Sequence, residues 1–358
     1  MTKRKKLSKG QSRRIKENHQ KRLNSATQAD EMTKNSVSKG QPEWQNDNLG
    51  GTEAAVVISR FGQHADIETV DQDILRCNIR RTVSNIVCGD NVIFRRAKVS
   101  QGDLAGVIEA VEERKTQLTR PDFYDGVKVV AANIDQILMV SAVLPEFTPS
   151  IIDRYLVACE DMGIKPILIL NKVDLLDNET LEYVQSVLDI YRGIGYQVYL
   201  MSNKTGEGIT QLKTLLVDKN SIFVGQSGVG KSTLVNTLLP ESNILTKDVS
   251  ENSGLGQHTT TVSRLHHLAS GGNLIDSPGI REFGLWHLEP DRVTWCFKEF
   301  REFLGGCKFR DCKHLNDPGC LIKEALENGK ISKLRFESYH KILESMADGR
   351  AGARAPRV

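Results

Sequence analysis

The chain has 358 residues, of which 39% are hydrophobic and 26% are charged, and its formal net charge at pH 7 is +3. This composition is typical of a soluble globular protein of two or three domains. No apolar run approaches the roughly 18–20 residues that a membrane helix needs, which excludes a membrane-spanning helix. Because the basic N-terminus also lacks the apolar stretch of a secretory signal, we expect a cytoplasmic protein.

The N-terminal region, residues 1–48, is polar and basic. Ten Lys or Arg residues and a single acid, Glu17, lie between Met1 and Arg22. Such a segment is expected to be disordered when free, and its charge suits the phosphate backbone of a nucleic acid. A solubilising tail is the alternative.

Residues 49–121 contain short β-rich segments separated by turn residues such as Gly62 and Gly102. Several short strands at this spacing predict a small closed barrel. The segment is rich in arginine, which favours RNA binding. Its pattern does not separate an OB barrel from an SH3-like barrel.

Residues 122–286 alternate apolar strands with amphipathic helices, which predicts a doubly wound parallel α/β sheet. Ligands of such sheets bind at the carboxyl ends of the strands. After one of these strands the chain fits G-x-x-x-x-G-K-[ST], the phosphate-binding loop. Its residues are Gly225, Gln226, Ser227, Gly228, Val229, Gly230, Lys231, Ser232 and Thr233.

The loop predicts binding of a nucleoside triphosphate. Its glycines let backbone N–H groups converge on phosphate oxygens, and the following helix adds the positive end of its dipole. Lys231 is predicted to reach the β- and γ-phosphates, and the Ser232 hydroxyl to coordinate Mg²⁺. A glycine-rich turn without a ligand is the alternative.

Two motifs earlier in the chain favour guanine as the base. The Asp174 carboxylate can accept hydrogen bonds from guanine N1–H and the exocyclic amine, which adenine does not offer together. We predict that Asn171 contacts the base edge, that the Lys172 stem lies along the base face, and that a backbone N–H of the second motif meets guanine O6. The motifs are N-K-V-D (Asn171, Lys172, Val173 and Asp174) and S-N-K (Ser202, Asn203 and Lys204).

Residues 276–279, D-S-P-G, fit the motif D-x-x-G that responds to the γ-phosphate. Asp276 is predicted to hold Mg²⁺ through water, and the Gly279 N–H to sense the γ-phosphate. In the preceding threonine run, we predict that Thr260 completes the Mg²⁺ shell, although such a run alone is typical of a strand start. The joint occurrence of these motifs predicts GTP as the ligand.

The order of the motifs is permuted, because the base motifs precede the phosphate loop, whereas Ras-type GTPases have the reverse. A parallel sheet tolerates this order, since all the site loops lie at one edge. The residue after D-x-x-G is Ile280, where Ras-type enzymes place a glutamine that orients water. His258 is the predicted catalytic residue, with an ordinary surface histidine as the alternative. We therefore expect slow intrinsic hydrolysis that a partner stimulates.

Residues 287–345 are predicted to form an α-helical zinc-binding domain, followed by a flexible tail at residues 346–358. A helical apolar stripe begins it, with Val293, Cys296, Phe297, Phe300 and Leu304. Four ligands in the pattern C-x₄-C-x-H-x₅-C predict one structural, tetrahedral Zn²⁺ without an open position for water. Reduced core cysteines are the alternative. The ligands are Cys307, Cys312, His314 and Cys320.

Two further features complete the cysteine and charge patterns. The scattered cysteines lie in apolar surroundings and are predicted to be reduced core residues. They are Cys77, Cys88, Cys159 and Cys296. Basic residues surround the zinc pattern and favour an RNA-facing surface. They are Lys308, Arg310, Lys313 and Lys323.

The permuted motifs, together with G-Q-H-T-T-T at residues 256–261 and R-C-N-I-R-R at residues 76–81, resemble the RsgA (YjeQ) family of bacterial ribosome-assembly GTPases. The resemblance implies an N-terminal OB barrel, a circularly permuted GTPase domain and a C-terminal zinc domain. It also implies binding to the 30S ribosomal subunit and 16S rRNA, GTP hydrolysis stimulated by the 30S particle, and release from it late in maturation. It further raises the expectation that His258 is catalytic, and we expect a monomer.

Two alternative functions remain at this point. The chain could be a nucleotide-gated RNA-binding protein with negligible turnover. It could also be an ATP-dependent kinase or ATPase built on the phosphate loop.

Overall fold

The computed structural model describes residues 48–83, 85–122, 126–240, 263–276, 285 and 287–354. They form two compact units. The first runs up to Lys115 and includes residues 131–133 and 263–265, and the second holds the remaining described residues. No helix within these ranges is long and apolar enough to cross a membrane. The basic tail expected at residues 1–48 lies outside the described residues, except for Asn48.

A barrel of five strands makes up most of the first unit. The strands follow the order β1-β2-β3-β5-β4, and β4 pairs back with β1, so the sheet closes on itself. Only β3 and β5 pair in parallel. The predicted closed barrel is therefore confirmed. The strands are β1 (Leu49–Phe61), β2 (His64–Thr69), β3 (Ile74–Ile79), β4 (Asn91–Gln101) and β5 (Leu104–Val111).

The barrel interior is a cluster of buried apolar residues. Val57, Ile67 and Phe94 are completely buried in it, as expected for the inward positions of strands in a small barrel. At Gly106, an added Cβ would lie 2.5 Å from the Arg95 carbonyl oxygen. The close approach of β5 to β4 therefore requires a residue without a side chain.

The second unit contains a parallel sheet in the order β10-β9-β8-β11-β13. It also includes His266 and His267 of β12 (Arg264–His267). Helices follow the first four strands along the chain, so the predicted alternation of strands and helices is confirmed. The strands are β8 (Gln136–Ala142), β9 (Lys165–Asn171), β10 (Gln197–Leu200), β11 (Asn220–Val224) and β13 (Asn273–Asp276). The helices are α1 (Pro149–Met162), α2 (Asn178–Ile194), α3 (Ile209–Leu216) and α4 (Lys231–Leu238). A separate two-stranded sheet pairs β6 (Gln117–Asp122) with β7 (Gly126–Ala132).

The helices begin and end where local chemistry dictates. Asp177 caps α2, because its carboxylate accepts the Thr180 N–H at 2.8 Å. Gly195 ends the same helix with a φ of 96°, a left-handed conformation that glycine adopts without strain. Gly163 ends α1 in the same way, with a φ of 67°.

The C-terminal region of the second unit is helical. It consists of α5 (Pro290–Cys296), a 3₁₀ helix (Lys298–Phe303), α6 (Leu321–Glu327) and α7 (Lys333–Arg354). We expected one helical stripe from Val293 to Leu304, but α5 ends at Cys296. Phe297 takes an extended conformation there, and its ring stacks on Phe300 with centroids 5.0 Å apart.

The expected flexible tail at residues 346–358 stays a prediction, and helical backbone extends into this range. Helix α7 continues to Arg354. Met346 is 3% exposed, so burial of its side chain favours continuation of the helix past that point. Residues 355–358 lie outside the described residues.

A buried arginine joins α7 to helix α1 and to the 3₁₀ helix. The Arg335 side chain is 1% exposed and donates to the Asp153 carboxylate of α1 at 2.5 Å. It also contacts Glu299 of the 3₁₀ helix at 2.7 and 3.2 Å. The Tyr191 hydroxyl of α2 donates to the same oxygen of Asp153 at 2.7 Å. The buried charge thus has opposite charges on two different elements.

Candidate nucleotide-binding site and metal centre

The predicted phosphate loop connects β11 to α4 at the carboxyl edge of the parallel sheet. Gly225, Gly228 and Gly230 have φ values of 149°, 79° and 98°, which side chains with a Cβ rarely adopt. A Cβ at Gly225 would lie 2.1 Å from the Val140 carbonyl oxygen. The loop conformation therefore depends on glycine at these positions.

The side chains of the loop fall into two groups. The Lys231 ammonium donates to the Gly225 carbonyl at 2.7 Å and also contacts the Gln226 carbonyl. Ser227, Ser232 and Thr233 are exposed, so their hydroxyls are accessible to a ligand. Val229 is buried and anchors the loop in the core around β8, β9 and α4.

The N-K-V-D motif follows β9 and contacts the phosphate loop. Asn171 is 1% exposed, and its side-chain amide donates to the Val229 carbonyl at 2.8 Å. The Lys172 ammonium donates to the carbonyls of Leu144 and Gly228, both at 2.7 Å. The contact of Asn171 with the base edge and that of the Lys172 stem with the base face stay predictions, and the polar contacts of both side chains are made to the protein.

The predicted base-reading carboxylate is held by the S-N-K motif. The Ser202 hydroxyl donates to Asp174 at 2.5 Å, and the Lys204 ammonium lies 4.0 Å from the other carboxylate oxygen. The Ser202 oxygen also accepts the N–H groups of Lys204 and Thr205, each at 3.2 Å. The motifs predicted to bind guanine are therefore brought together at one sheet edge.

Asn203 lies between the two motifs and the phosphate loop. Its backbone N–H donates to the Asn171 side-chain oxygen at 3.3 Å, and its side-chain amide donates to the Gly230 carbonyl at 3.2 Å. Sequence reasoning missed these contacts and the one to Leu144, because a carbonyl acceptor leaves no mark in the residue pattern. Val173 donates its N–H to the Met201 carbonyl at 3.2 Å.

The predicted Mg²⁺ and γ-phosphate residues are only partly described. Asp276 ends β13, which pairs with β11 through Ile275 and Ile222. Burial raises the pKa of the Asp276 carboxyl, because its ionised form is poorly solvated there. A divalent cation beside it would stabilise that form, so the residue fits a cation site. His258, Thr260, Gly279 and Ile280 lie outside the described residues.

The predicted zinc ligands converge in the C-terminal region. Their donor atoms all lie within 4.8 Å of one another, and the His314 Nδ1 lies 3.4 to 3.7 Å from the three cysteine sulfurs. Zn–S bonds of about 2.3 Å and Zn–N bonds of about 2.0 Å in a tetrahedron give S···N separations of about 3.5 Å. The cluster of Cys307, Cys312, His314 and Cys320 therefore fits one Zn²⁺.

Neighbouring groups support this cluster. The Cys320 sulfur accepts the Lys323 N–H at 3.4 Å at the start of α6, and the His340 ring of α7 lies 3.2 Å from the His314 carbonyl. Lys308, Arg310 and Lys313 are exposed around it. The cluster thus joins a basic loop to two helices.

These features define a class. The side chains of an N-K-x-D motif hold the carbonyls of the phosphate loop, and this motif precedes the loop in the chain. That order, on a parallel sheet, defines the site of a circularly permuted GTPase. Two comparisons of the fold agree with this class. YjeQ from Thermotoga maritima superposes with a TM-score of 0.67, at 33% identity, covering 83% of this chain and 99% of that structure. YloQ, described as a circularly permuted GTPase, gives a TM-score of 0.66 at 27% identity, with 90% and 100% covered.

Sequence comparison identifies the family. The RsgA GTPase family model matches residues 111–286. The small ribosomal subunit biogenesis GTPase RsgA of Shewanella oneidensis is 59% identical over 352 residues, covering 98% of this chain and 97% of that protein. The chain belongs to the RsgA GTPase family and is a GTPase.

Proposed function

We propose that this GTPase acts on the small ribosomal subunit: it binds the 30S particle and 16S rRNA late in maturation and hydrolyses GTP when the particle stimulates it. Hydrolysis is coupled to release. Support comes from the Shewanella relative, whose name gives small-subunit biogenesis, at 59% identity over nearly the whole chain. The observation that carries guanine specificity is the Asp174 carboxylate, held by Ser202 at 2.5 Å beside the phosphate loop.

The loops at the carboxyl edge of the sheet supply the residues of the nucleotide site. Asp174 accepts the two guanine N–H groups, and the S-N-K backbone meets guanine O6. The phosphate loop binds the β- and γ-phosphates through its N–H groups and Lys231, and the Gly279 N–H senses the γ-phosphate. Ser232, Thr260 and, through water, Asp276 would hold Mg²⁺, which when bound would neutralise charge on the phosphate oxygens.

His258 positions the attacking water, since Ile280 has no hydrogen-bonding group for it. A histidine can accept or donate a proton near neutral pH. Without the ribosomal particle, the isolated chain turns over slowly. The same isoleucine also favours the second candidate, an RNA-binding protein that uses GTP only as a ligand.

The remaining regions bind rRNA or stabilise the chain. The barrel is of OB type, a class in which one sheet face and its loops bind oligonucleotides. Its strand order, in which β3 pairs with β5 and β4 returns to β1, supports that assignment. Cys307, Cys312, His314 and Cys320 would hold one structural Zn²⁺, which would order the basic loop around Lys308. The proposed boundaries are residues 1–48, 49–121, 122–286, 287–345 and 346–358, and the chain is a cytoplasmic monomer.

Co-sedimentation tests this function. The chain is incubated with purified 30S subunits and GTP, GDP or a non-hydrolysable GTP analogue. We expect the chain to pellet with the subunits in the presence of the analogue and to dissociate from them after GTP hydrolysis. Equal pelleting with all three nucleotides would contradict coupled release. Pelleting with the analogue but no phosphate release from GTP would favour the RNA-binding alternative.

A further inference from the structure

We infer that Asn203 is a positioning residue for the phosphate loop, although it lies in the loop predicted to bind the base. Its side-chain amide donates to the Gly230 carbonyl at 3.2 Å, where Leu234 N–H, of the first turn of α4, also donates at 3.0 Å. The inference rests on the proposed function, since it takes residues 225–233 as the phosphate site. It adds a role that the S-N-K motif does not predict.

Asn203 completes a set of three contacts. Three consecutive carbonyls of the phosphate loop each accept a hydrogen bond from a side chain of the base motifs, at 2.7, 2.8 and 3.2 Å. The donor–acceptor pairs are Lys172 with Gly228, Asn171 with Val229, and Asn203 with Gly230. The two base motifs therefore hold the loop along three successive peptide groups.

Because of peptide geometry, these contacts also set the direction of the backbone N–H groups that bind the phosphates. A trans peptide is planar, and its N–H points opposite to its C=O. The Gly230 carbonyl and the Lys231 N–H belong to one peptide, so a donor on the carbonyl fixes the direction of that N–H. The N–H groups of such a loop bind the phosphates. Asn203 therefore acts on the phosphate end of the nucleotide.

Packing and chemistry both support this orientation. A Cβ at residue 230 would lie 2.3 Å from the Asn171 amide nitrogen and 3.3 Å from that of Asn203. The two side-chain amides therefore leave room only for glycine at this position. The Gly230 carbonyl is only an acceptor, which requires Asn203 to present its NH₂ group there. Its side-chain oxygen is buried and has no protein partner among the described residues.

The test separates phosphate binding from base binding. Affinities for GMP, GDP and a non-hydrolysable GTP analogue are measured by calorimetry for wild type, Asn203→Ala and Asn203→Asp. Loss of one neutral hydrogen bond should weaken GDP and the analogue about three- to tenfold. GMP lacks the β-phosphate and should bind with unchanged affinity. Asn203→Asp keeps the shape of the side chain but places a carboxylate against the Gly230 carbonyl, so it should lose more affinity for GDP and the analogue than Asn203→Ala does.

Glu207→Ala is the matched control, because that side chain is exposed in the same loop. Thermal unfolding of each variant checks the fold, and the near-isosteric Asn203→Asp replaces Asn203→Ala if the latter does not fold. Equal loss of GMP and GDP affinity would show a base contact instead and overturn the inference, as would unchanged GDP affinity. Failure of wild type to bind any guanine nucleotide would overturn the proposed function, and the inference with it.

Discussion

The Asp174 carboxylate is the group that we propose selects the guanine base. Its two oxygens match two N–H groups of guanine, and the contacts to Ser202 and Lys204 limit its rotation. Adenine presents an acceptor where guanine presents N1–H, so ATP would leave the carboxylate facing an acceptor. In the proposed function, selectivity for GTP therefore depends on this one carboxylate, whose direction is fixed.

Replacing this carboxylate should change the preferred base. Asp174→Asn loses one acceptor and gains a donor, so GTP affinity should fall by about 3 kcal/mol, on the order of 100-fold. Xanthine offers an acceptor at the position of the exocyclic amine and should bind the variant better than guanine does. Competition binding with GTP, XTP and ATP measures this. Unchanged GTP and ATP affinities would show that Asp174 does not contact the base.

Motif spacing predicted which residues meet at the sheet edge, because parallel strands bring their carboxyl ends together. It did not predict what the side chains of Asn171, Lys172 and Asn203 contact. Their acceptors are backbone carbonyls of a loop about 25 to 60 residues away in sequence. Every residue carries such a carbonyl, so the residue pattern holds no signal for it.

The helices of the C-terminal region also show contacts that the residue pattern does not predict. The apolar spacing of residues 293–304 fits a single helix, but an extended Phe297 and a 3₁₀ turn after it bury Phe297 and Phe300 instead. Arg335 carried no assigned role in the sequence pattern, because an arginine in a helical stretch is usually exposed. Its burial depends on Asp153 and Glu299, which are distant in sequence, and only the fold brings them together.

Removing Arg335 should destabilise the second unit strongly. Arg335→Ala leaves two carboxylates buried without their partner, which costs about 3–5 kcal/mol. Lys333→Ala is the matched control, since Lys333 forms an exposed pair with Glu337 and should change stability by less than about 1 kcal/mol. Urea unfolding measures both variants. Equal midpoints for the two would contradict the proposed importance of the buried pairs.

The cysteines provide a test of the metal cluster. Cys77, Cys88, Cys159 and Cys296 are buried and unpaired, which confirms their prediction as reduced core residues. Burial raises the pKa of Cys77 and Cys296 to about 12 and that of the other two as well. These thiols therefore hold little reactive thiolate at pH 8.

A thiol reagent should distinguish the two groups of cysteines. The native, zinc-loaded chain should react slowly at all seven. A chelator should release one Zn²⁺ and expose the thiols of Cys307, Cys312 and Cys320, while the core four react only after unfolding. Thiol absorbance and a zinc indicator follow the two events together. Release of no zinc, or rapid reaction of the core four in the native chain, would contradict the assignment.

For the molecule as a whole, the permuted order has a mechanical consequence. The γ-phosphate motif at residues 276–279 leads directly into the C-terminal region, whose helix α7 is fixed to α1 through Arg335. We therefore expect a change at the γ-phosphate to have a short covalent path to the region of the Cys3His cluster. In GTPases generally, the segment that contacts the γ-phosphate becomes ordered or disordered with the nucleotide state, and this change drives switching.

The most direct test of the proposed function is the rate of phosphate release from GTP with and without purified 30S subunits. We expect slow release by the chain alone and stimulation of about 100-fold or more by the subunits, comparable with partner-stimulated GTPases. His258→Ala should keep GTP binding and lose the stimulation, and ATP should not replace GTP. Equal rates with and without subunits, or equal hydrolysis of ATP, would contradict the proposal.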